Sequence, residues 1–365
     1  MSPDERTDAP SALQGRHPDL LNVWDYEELA ERALDPGVYA YIAEGAGDEY
    51  TLRDNVLAFR RYALRPRMLA GVDEASTAVT VFGRELTLPV VVAPVAWQAV
   101  MHRDGDLATA RAAARAGTVM CVSTFALVAL SELAAATPPG TLWFQLYPFR
   151  DEGLNRALVE QARAAGCGAL VVTVDAQVIG VRERGIRSGL RFPEATFPGP
   201  LAKIRGTRAS DLQSLLNRSL GWGDIERFAA EAGMPVIVKG LLTAEDAVLA
   251  CERGAAGVVV SNHGGRQLDG VQASVDALPA IADAVDARAE VFLDGGIRRG
   301  SDIVKALALG ARAVLLGRPA LWGLAGRGED GVREVLELLR HELAVALTLS
   351  GCASPADVTR AHVTP

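Results

Sequence analysis

Short apolar runs, rich in β-branched residues, recur along the chain at 90–93, 119–123, 142–146, 169–174, 236–239, 258–261, 291–293 and 314–316. Each has the length and the bounded character of a buried strand rather than a helix. Between most of them lie Ala- and Leu-rich stretches with helical spacing, at 106–116, 153–165, 244–253, 278–285 and 301–309. Strand–helix alternation predicts a parallel sheet. Eight such units predict its closure into a (β/α)8 barrel, a fold of about 250 residues. A doubly wound open sheet is the alternative, and the number of units weighs against it.

The flanks follow other patterns. Residues 1–20 are rich in Pro, Asp, Ser and Arg and predict a disordered tail, leaving 21–365 as a single barrel domain. Helical patterning starts at Val23, with Asp25 as a candidate cap, and continues over Pro36–Glu44 and Glu49–Arg61 as an N-terminal helical cap. VTVFGREL, from Val79 to Leu86, reads as a hairpin arm turning at Phe82-Gly83. The connection from Gly185 to Trp222 exceeds ordinary loop length and carries Pro193, Pro198 and Pro200. It is read as an active-site lid, with a plain solvated insertion as the alternative. Gly331–Leu349 is strongly periodic and should close the barrel from outside.

In such barrels, functional groups gather at strand C-termini. Here the runs are followed by Pro94-Val95-Ala96, Ser123, Gln145 with Tyr147, Thr173 with Asp175, Lys239, His263, Asp294, and Gly317-Arg318. The stretch SNHGGRQLDG (261–270) stands out, because a buried strand has little packing reason to end in those side chains. His263 can accept a proton near neutral pH, and Arg266 can grip a carboxylate with two parallel hydrogen bonds. Asp294-Gly295-Gly296-Ile297-Arg298 and Gly317-Arg318 follow the last two strands, where barrels often bind phosphate. Lys239 is one of three lysines, against thirty-four arginines. It could neutralise charge on a reduced flavin, form a Schiff base or pair with a barrel carboxylate, and spacing leaves all three open.

Composition narrows the partners. The chain has 365 residues, 49% hydrophobic and 22% charged, with a net charge of −8. Nothing in that balance favours nucleic acid or an anionic membrane. Cys121, Cys167, Cys251 and Cys352 form no CxxC pair and read as structural free thiols of a reducing cytoplasm. No apolar run approaches a membrane span, and the N-terminus is too polar for a signal peptide, so a cytoplasmic protein is expected. No metal is expected.

Taking hydrogen from a carbon that bears a hydroxyl and a carboxylate is too hard for His263 alone, so an electron acceptor is needed. The sole GxGxxG match, Gly326–Gly331, lies between helical segments rather than after a strand, which disfavours nicotinamide. Flavin mononucleotide on the phosphate site meets the need.

With GAGDEYTLRDN, RPRML, FQLY, TVD, VKG, SNHGGRQLDG, LDGGIRRGSDIVKALALGA and GRP, the chain resembles the FMN-dependent L-2-hydroxy acid oxidases and dehydrogenases from about Val23 to His362. The resemblance implies that His263 is the base, that Asp175 stabilises its protonated form, and that Arg266, Arg182 and Tyr41 hold the substrate carboxylate. It implies that Tyr147 meets the substrate oxygen, that Lys239 sits near the flavin pyrimidine edge, and that Ala96, Ser123, Gln145 and Thr173 line the ring. Ser261, Asp294, Gly296, Arg298, Gly317 and Arg318 would hold the ribityl and phosphate. Ala176-Gln177 stands where the family has Thr-Pro, Phe125 where short-chain glycolate oxidases have Trp, and Trp97 where a smaller side chain is common, which bears on substrate size. Ala96 favours oxygen as acceptor and hydrogen peroxide as product. The alternatives are a dehydrogenase using a quinone or other carrier, and a phosphate-binding barrel isomerase or Schiff-base aldolase. A homotetramer or octamer is implied by the resemblance alone.

Overall fold

A computed structural model describes residues 19–190, 199–201 and 212–365. The expected tail falls almost wholly outside the described residues, as do 191–198 and 202–211 of the expected lid.

The eight apolar runs form strands β1 (Val90–Val92), β2 (Met120–Val122), β3 (Leu142–Leu146), β4 (Leu170–Thr173), β5 (Val236–Leu241), β6 (Gly257–Val260), β7 (Glu290–Asp294) and β8 (Ala313–Leu316). They pair in parallel and close, β8 onto β1 and β6 onto β7, as the alternation predicts. Side chains alternate across a strand, and that period divides the core in two. Val91, Cys121, Trp143, Val171, Ile237, Val259, Phe292 and Leu315 fill the barrel interior. Their neighbours, such as Val92, Met120, Phe144, Val172, Val238 and Val258, pack under the outer helices. The strands are therefore apolar on both faces, which is why they read as continuous runs rather than alternating ones.

The hairpin, Val79–Val81 paired with Arg84–Leu86, plugs one end. Its turn residue Phe82 sits 5.9 Å from the rings of Trp143 and of Phe292. With the strand N-termini sealed, only the C-terminal end is left to open as a mouth.

Over that mouth lie α1 (Val23–Ala33), α2 (Pro36–Ala43) and α3 (Tyr50–Leu57). Asp25 does not cap α1: the Asn22 side chain accepts from Trp24 N–H, while Asp25 reaches back to the Asn22 backbone to complete the box. The C-terminal helix Arg318–Ser350 bends at Arg327-Gly328, inside the GxGxxG match. That stretch follows no strand and forms the bend of a helix. Among the described residues, no helix is long and apolar enough to cross a membrane. Cys121, Cys167, Cys251 and Cys352 are all free.

Candidate active site

The strand ends converge on one cavity of about 690 Å³. Pro94, Val95, Ala96 and Trp97 enter it after β1, Phe125 after β2, Tyr147 after β3 and Thr173 from β4. Lys239 on β5, His263 and Arg266 after β6, Asp294, Gly295, Gly296 and Arg298 around the end of β7, and Gly317 and Arg318 after β8 complete the ring. Tyr41 comes down from α2, and Arg182 comes from the segment after β4, just ahead of the helix Glu183–Ser188. Asp175, Ser123, Gln145 and Ser261 do not line the cavity themselves.

His263 contacts both kinds of residue. Its Nδ1 lies 2.9 Å from Asp175 Oδ1 and its Nε2 lies 3.4 Å from the Tyr147 hydroxyl. An ionised Asp175 fixes the proton on Nδ1 and leaves Nε2 as the accepting nitrogen on the cavity side. Burial holds the imidazole below its ordinary range, opposed by Asp175 and reinforced by Lys239. For Asp175, burial pushes the carboxyl up, yet His263 and Lys239 bring it net below the usual value. The pair is thus a neutral base beside a carboxylate at neutral pH. Burial pushes the Tyr147 phenol up to about 12, so it stays a hydrogen-bond donor.

Gly240 makes this geometry possible. It is the unpaired residue of a bulge in β5, at φ 114°, and a Cβ there would stand 2.6 Å from Asp175 Cγ. Lys239 beside it places Nζ 2.8 Å from Asp294 Oδ2 and 3.0 Å from Ser261 Oγ. Burial pulls the ammonium down, but Asp294 and Asp175 more than offset that. Lys239 therefore remains protonated, which denies it the neutral amine that a Schiff base requires. The aldolase alternative loses its nucleophile.

The arginines that line the cavity are also held by the protein itself. Arg266 donates through Nη1 to the carbonyls of Tyr41 (2.8 Å) and Glu44 (3.1 Å), and lies 5.1 Å over the Tyr41 ring. Arg182 donates to the Arg266 carbonyl and to Gln267 Oε1, both at 3.2 Å. Arg318 donates to the carbonyls of Ile42, Gly264 and Glu44 at 2.9–3.0 Å, tying α2 to the His263 loop. Arg298 stacks 4.8 Å from the Trp322 ring and 5.3 Å from Trp24. Burial pulls its guanidinium down to about 10.

Three residues of the SNHGGRQLDG stretch, Asn262, Gln267 and Asp269, hold structure together. Asn262 and Asn55 exchange two amide hydrogen bonds of 2.8 Å, locking α3 to the loop. Asp269 receives the N–H groups of Tyr50 and Thr51 at the start of α3. Gln267 Nε2 donates to the carbonyls of Asp175 (2.6 Å) and Val178 (2.8 Å). These roles, and that of Glu44, escaped the sequence reading because their partners lie far away in the chain.

Among the described residues, five buried polar atoms of the site have no hydrogen-bond partner: Thr173 Oγ1, Asp294 Oδ1 and Arg298 Nε on residues of the wall, and Gln145 Nε2 and Asp175 Oδ2 on residues that do not line it. Leaving such atoms unpaired costs about 1–3 kcal/mol each. A polar ligand reaching from β4 across to β7 would offer partners to those on the wall. The remaining wall, with Trp97, Phe125, Ala176, Ile179, Leu190 and Leu216, is apolar.

The model of the FMN-dependent dehydrogenase family matches residues 30–365. An L-lactate oxidase from Nostoc sp. is 47% identical over 351 residues, covering 93% of this chain and 96% of that protein. Glycolate oxidase 3 of Arabidopsis thaliana is 44% identical over 354 residues, covering 94% and 96%. A crystal structure of mandelate oxidase superposes with a TM-score of 0.88 at 42% identity, covering 94% of this chain and 98% of that one.

Proposed function

This chain belongs to the FMN-dependent dehydrogenase family, and we propose that it oxidises an L-2-hydroxy acid to the 2-keto acid, with oxygen as acceptor and hydrogen peroxide as the second product. The observation that carries this reading is His263 Nε2, held at the cavity by Asp175 and flanked by Tyr147, Lys239 and Arg266. Those are the groups needed to anchor a carboxylate, bind a hydroxyl and take up a proton.

The residues present fit FMN. The unpartnered atoms of Gln145 and Thr173, with Pro94, Val95, Ala96 and Ser123 nearby, suit the rim of a polar ring. Ser261, Asp294, Gly295, Gly296, Arg298, Gly317 and Arg318 would hold the ribityl chain and phosphate. Arg298 has an unpartnered buried Nε to give. When bound, FMN supplies the two-electron acceptor that passes electrons on to oxygen. Lys239 brings a fixed positive charge to that region.

For the substrate, Arg266 and Arg182 would hold the carboxylate, with the Tyr41 hydroxyl beside them. Tyr147 would position the substrate hydroxyl. His263 would take the proton on Nε2, and the resulting imidazolium would be stabilised by Asp175 at 2.9 Å. The apolar wall suits acids with a hydrocarbon side chain. The proposal keeps a cytoplasmic location and a homo-oligomer, and light scattering on the purified protein reads the oligomeric state directly.

The test is anaerobic. The purified protein should be yellow and should bleach on addition of glycolate, lactate, mandelate or a longer 2-hydroxy acid. Once air is admitted, oxygen uptake should match turnover better than dye reduction does. A His263→Ala protein that retains FMN yet bleaches at the normal rate would overturn the reading.

A further inference from the structure

Glu44 follows α2 and is 2% exposed, yet it does not line the cavity. One carboxylate oxygen accepts the Gly185 N–H at 2.7 Å. The other lies 3.6 Å from Nη2 of Arg266. Its main-chain carbonyl receives Arg266 Nη1 at 3.1 Å and Arg318 Nη2 at 2.9 Å. A Cβ on Gly185 would come within 2.4 Å of the carboxylate, so the contact depends on glycine there. Glu44 therefore stands behind the guanidinium that faces the cavity, and ties it to the segment carrying Arg182.

Two buried guanidiniums side by side repel one another. Arg182 is drawn down to about 10, first by burial and then by Arg266. An anion behind them relieves that strain when no substrate carboxylate is present. The same anion repels the carboxylate that arrives. We propose that Glu44 is a positioning residue, the resident counter-ion of the substrate-carboxylate clamp, which steadies Arg266 between turnovers and loosens its hold on the product acid. This rests on the functional reading above.

The groups facing Glu44 are Arg266, Arg182, Arg184, Arg318 and Tyr41. Burial raises the Glu44 carboxyl above its usual value, with Arg266 and the Gly185 N–H acting the other way. As pH falls through that raised value, Glu44 is neutralised and the clamp should bind anions more tightly. Arg182, drawn down only to about 10, stays charged across that range. The Tyr41 phenol, pushed up by burial, stays neutral. His263 takes up a proton in every variant and drops out of the comparison.

The experiment measures oxalate binding to the FMN-loaded protein by calorimetry at several pH values, since oxalate offers a carboxylate and has no hydrogen to lose. Glu44→Gln keeps an acceptor for Gly185 N–H and removes the charge. It should bind oxalate roughly three- to tenfold more tightly at neutral pH, with a shallower pH dependence than wild type. Glu44→Asp, which retains the charge, should keep the wild-type pH dependence. Equal or weaker binding by Glu44→Gln, or a pH dependence identical to wild type, would overturn the inference alone. A wild-type holoprotein that binds no oxalate would overturn the functional reading and this inference with it.

Discussion

His263 Nδ1 and Asp175 Oδ1 stand 2.9 Å apart although 88 positions separate them, one after β6 and the other after β4. The contact fixes the imidazole tautomer and, in the proposed reaction, would support the imidazolium that proton transfer creates. On that reading it would also set the pH profile. Burial lowers the His263 pKa from its ordinary 6.5, so the free base dominates at neutrality and is lost only as pH falls through the lowered value. The acid limb of kcat/KM should therefore lie below that ordinary value. Asp175 opposes the lowering, so Asp175→Asn should move the limb further to acid. The plateau should drop roughly 10²- to 10⁴-fold as the charge support is lost. Initial rates across pH check both, and a limb that moves to higher pH would contradict the assignment.

Arg266→Lys addresses the clamp. An ammonium cannot reproduce a guanidinium that donates to Tyr41 and Glu44 carbonyls and still reaches a carboxylate. The expected result is a KM raised about tenfold or more, corresponding to one lost charge-assisted hydrogen bond. The pH profile should be preserved, because His263 and Asp175 are untouched. Steady-state kinetics separate the two effects, and an unchanged KM would remove Arg266 from substrate binding.

Lys239→Met should cost stability as well as activity. Lys239 is 4% exposed and pairs with Asp294, which is 7% exposed. Removing one partner leaves a buried carboxylate without its cation, worth about 3–5 kcal/mol. Adding Asp294→Asn should recover part of the loss, since the orphaned charge is then absent. Thermal melts of the single and double variants check this. A double variant less stable than the single one would show that Lys239 and Asp294 do not act as a pair.

The barrel was legible because its strands are buried on both faces and therefore stand out as short β-branched runs. His263 and Lys239 were legible because each is a polar residue at or just past the end of such a run. Asn55 and Asn262 were not: each is an ordinary amide until the fold joins them across 207 positions. Glu44 looked like one more acidic residue at a helix end, and only the fold brings Arg266 and Gly185 against it. Arg298 read as a phosphate ligand, but nothing in its spacing indicated the Trp24 and Trp322 rings on its flanks. Sequence proximity to a strand end identifies residues that face a mouth. It cannot identify those that hold them in place.

Gly240 is such a supporting residue, and it can be tested against a matched control. Its φ of 114° and its position 2.6 Å (as a hypothetical Cβ) from Asp175 Cγ mean that Gly240→Ala adds both backbone strain and a collision. Gly166 also has a positive φ, 69°, but a Cβ there would meet nothing within 4 Å. Gly166→Ala should therefore lose only the backbone term, about 1 kcal/mol, with kcat unchanged. Gly240→Ala should lose about 1–3 kcal/mol, and its kcat should fall because Asp175 must move away from His263. The pH profile of Gly240→Ala should then shift toward that of Asp175→Asn, which general loosening of the barrel would not produce. A Gly240→Ala protein with wild-type kcat and an unshifted acid limb would mean that the bulge does not position Asp175.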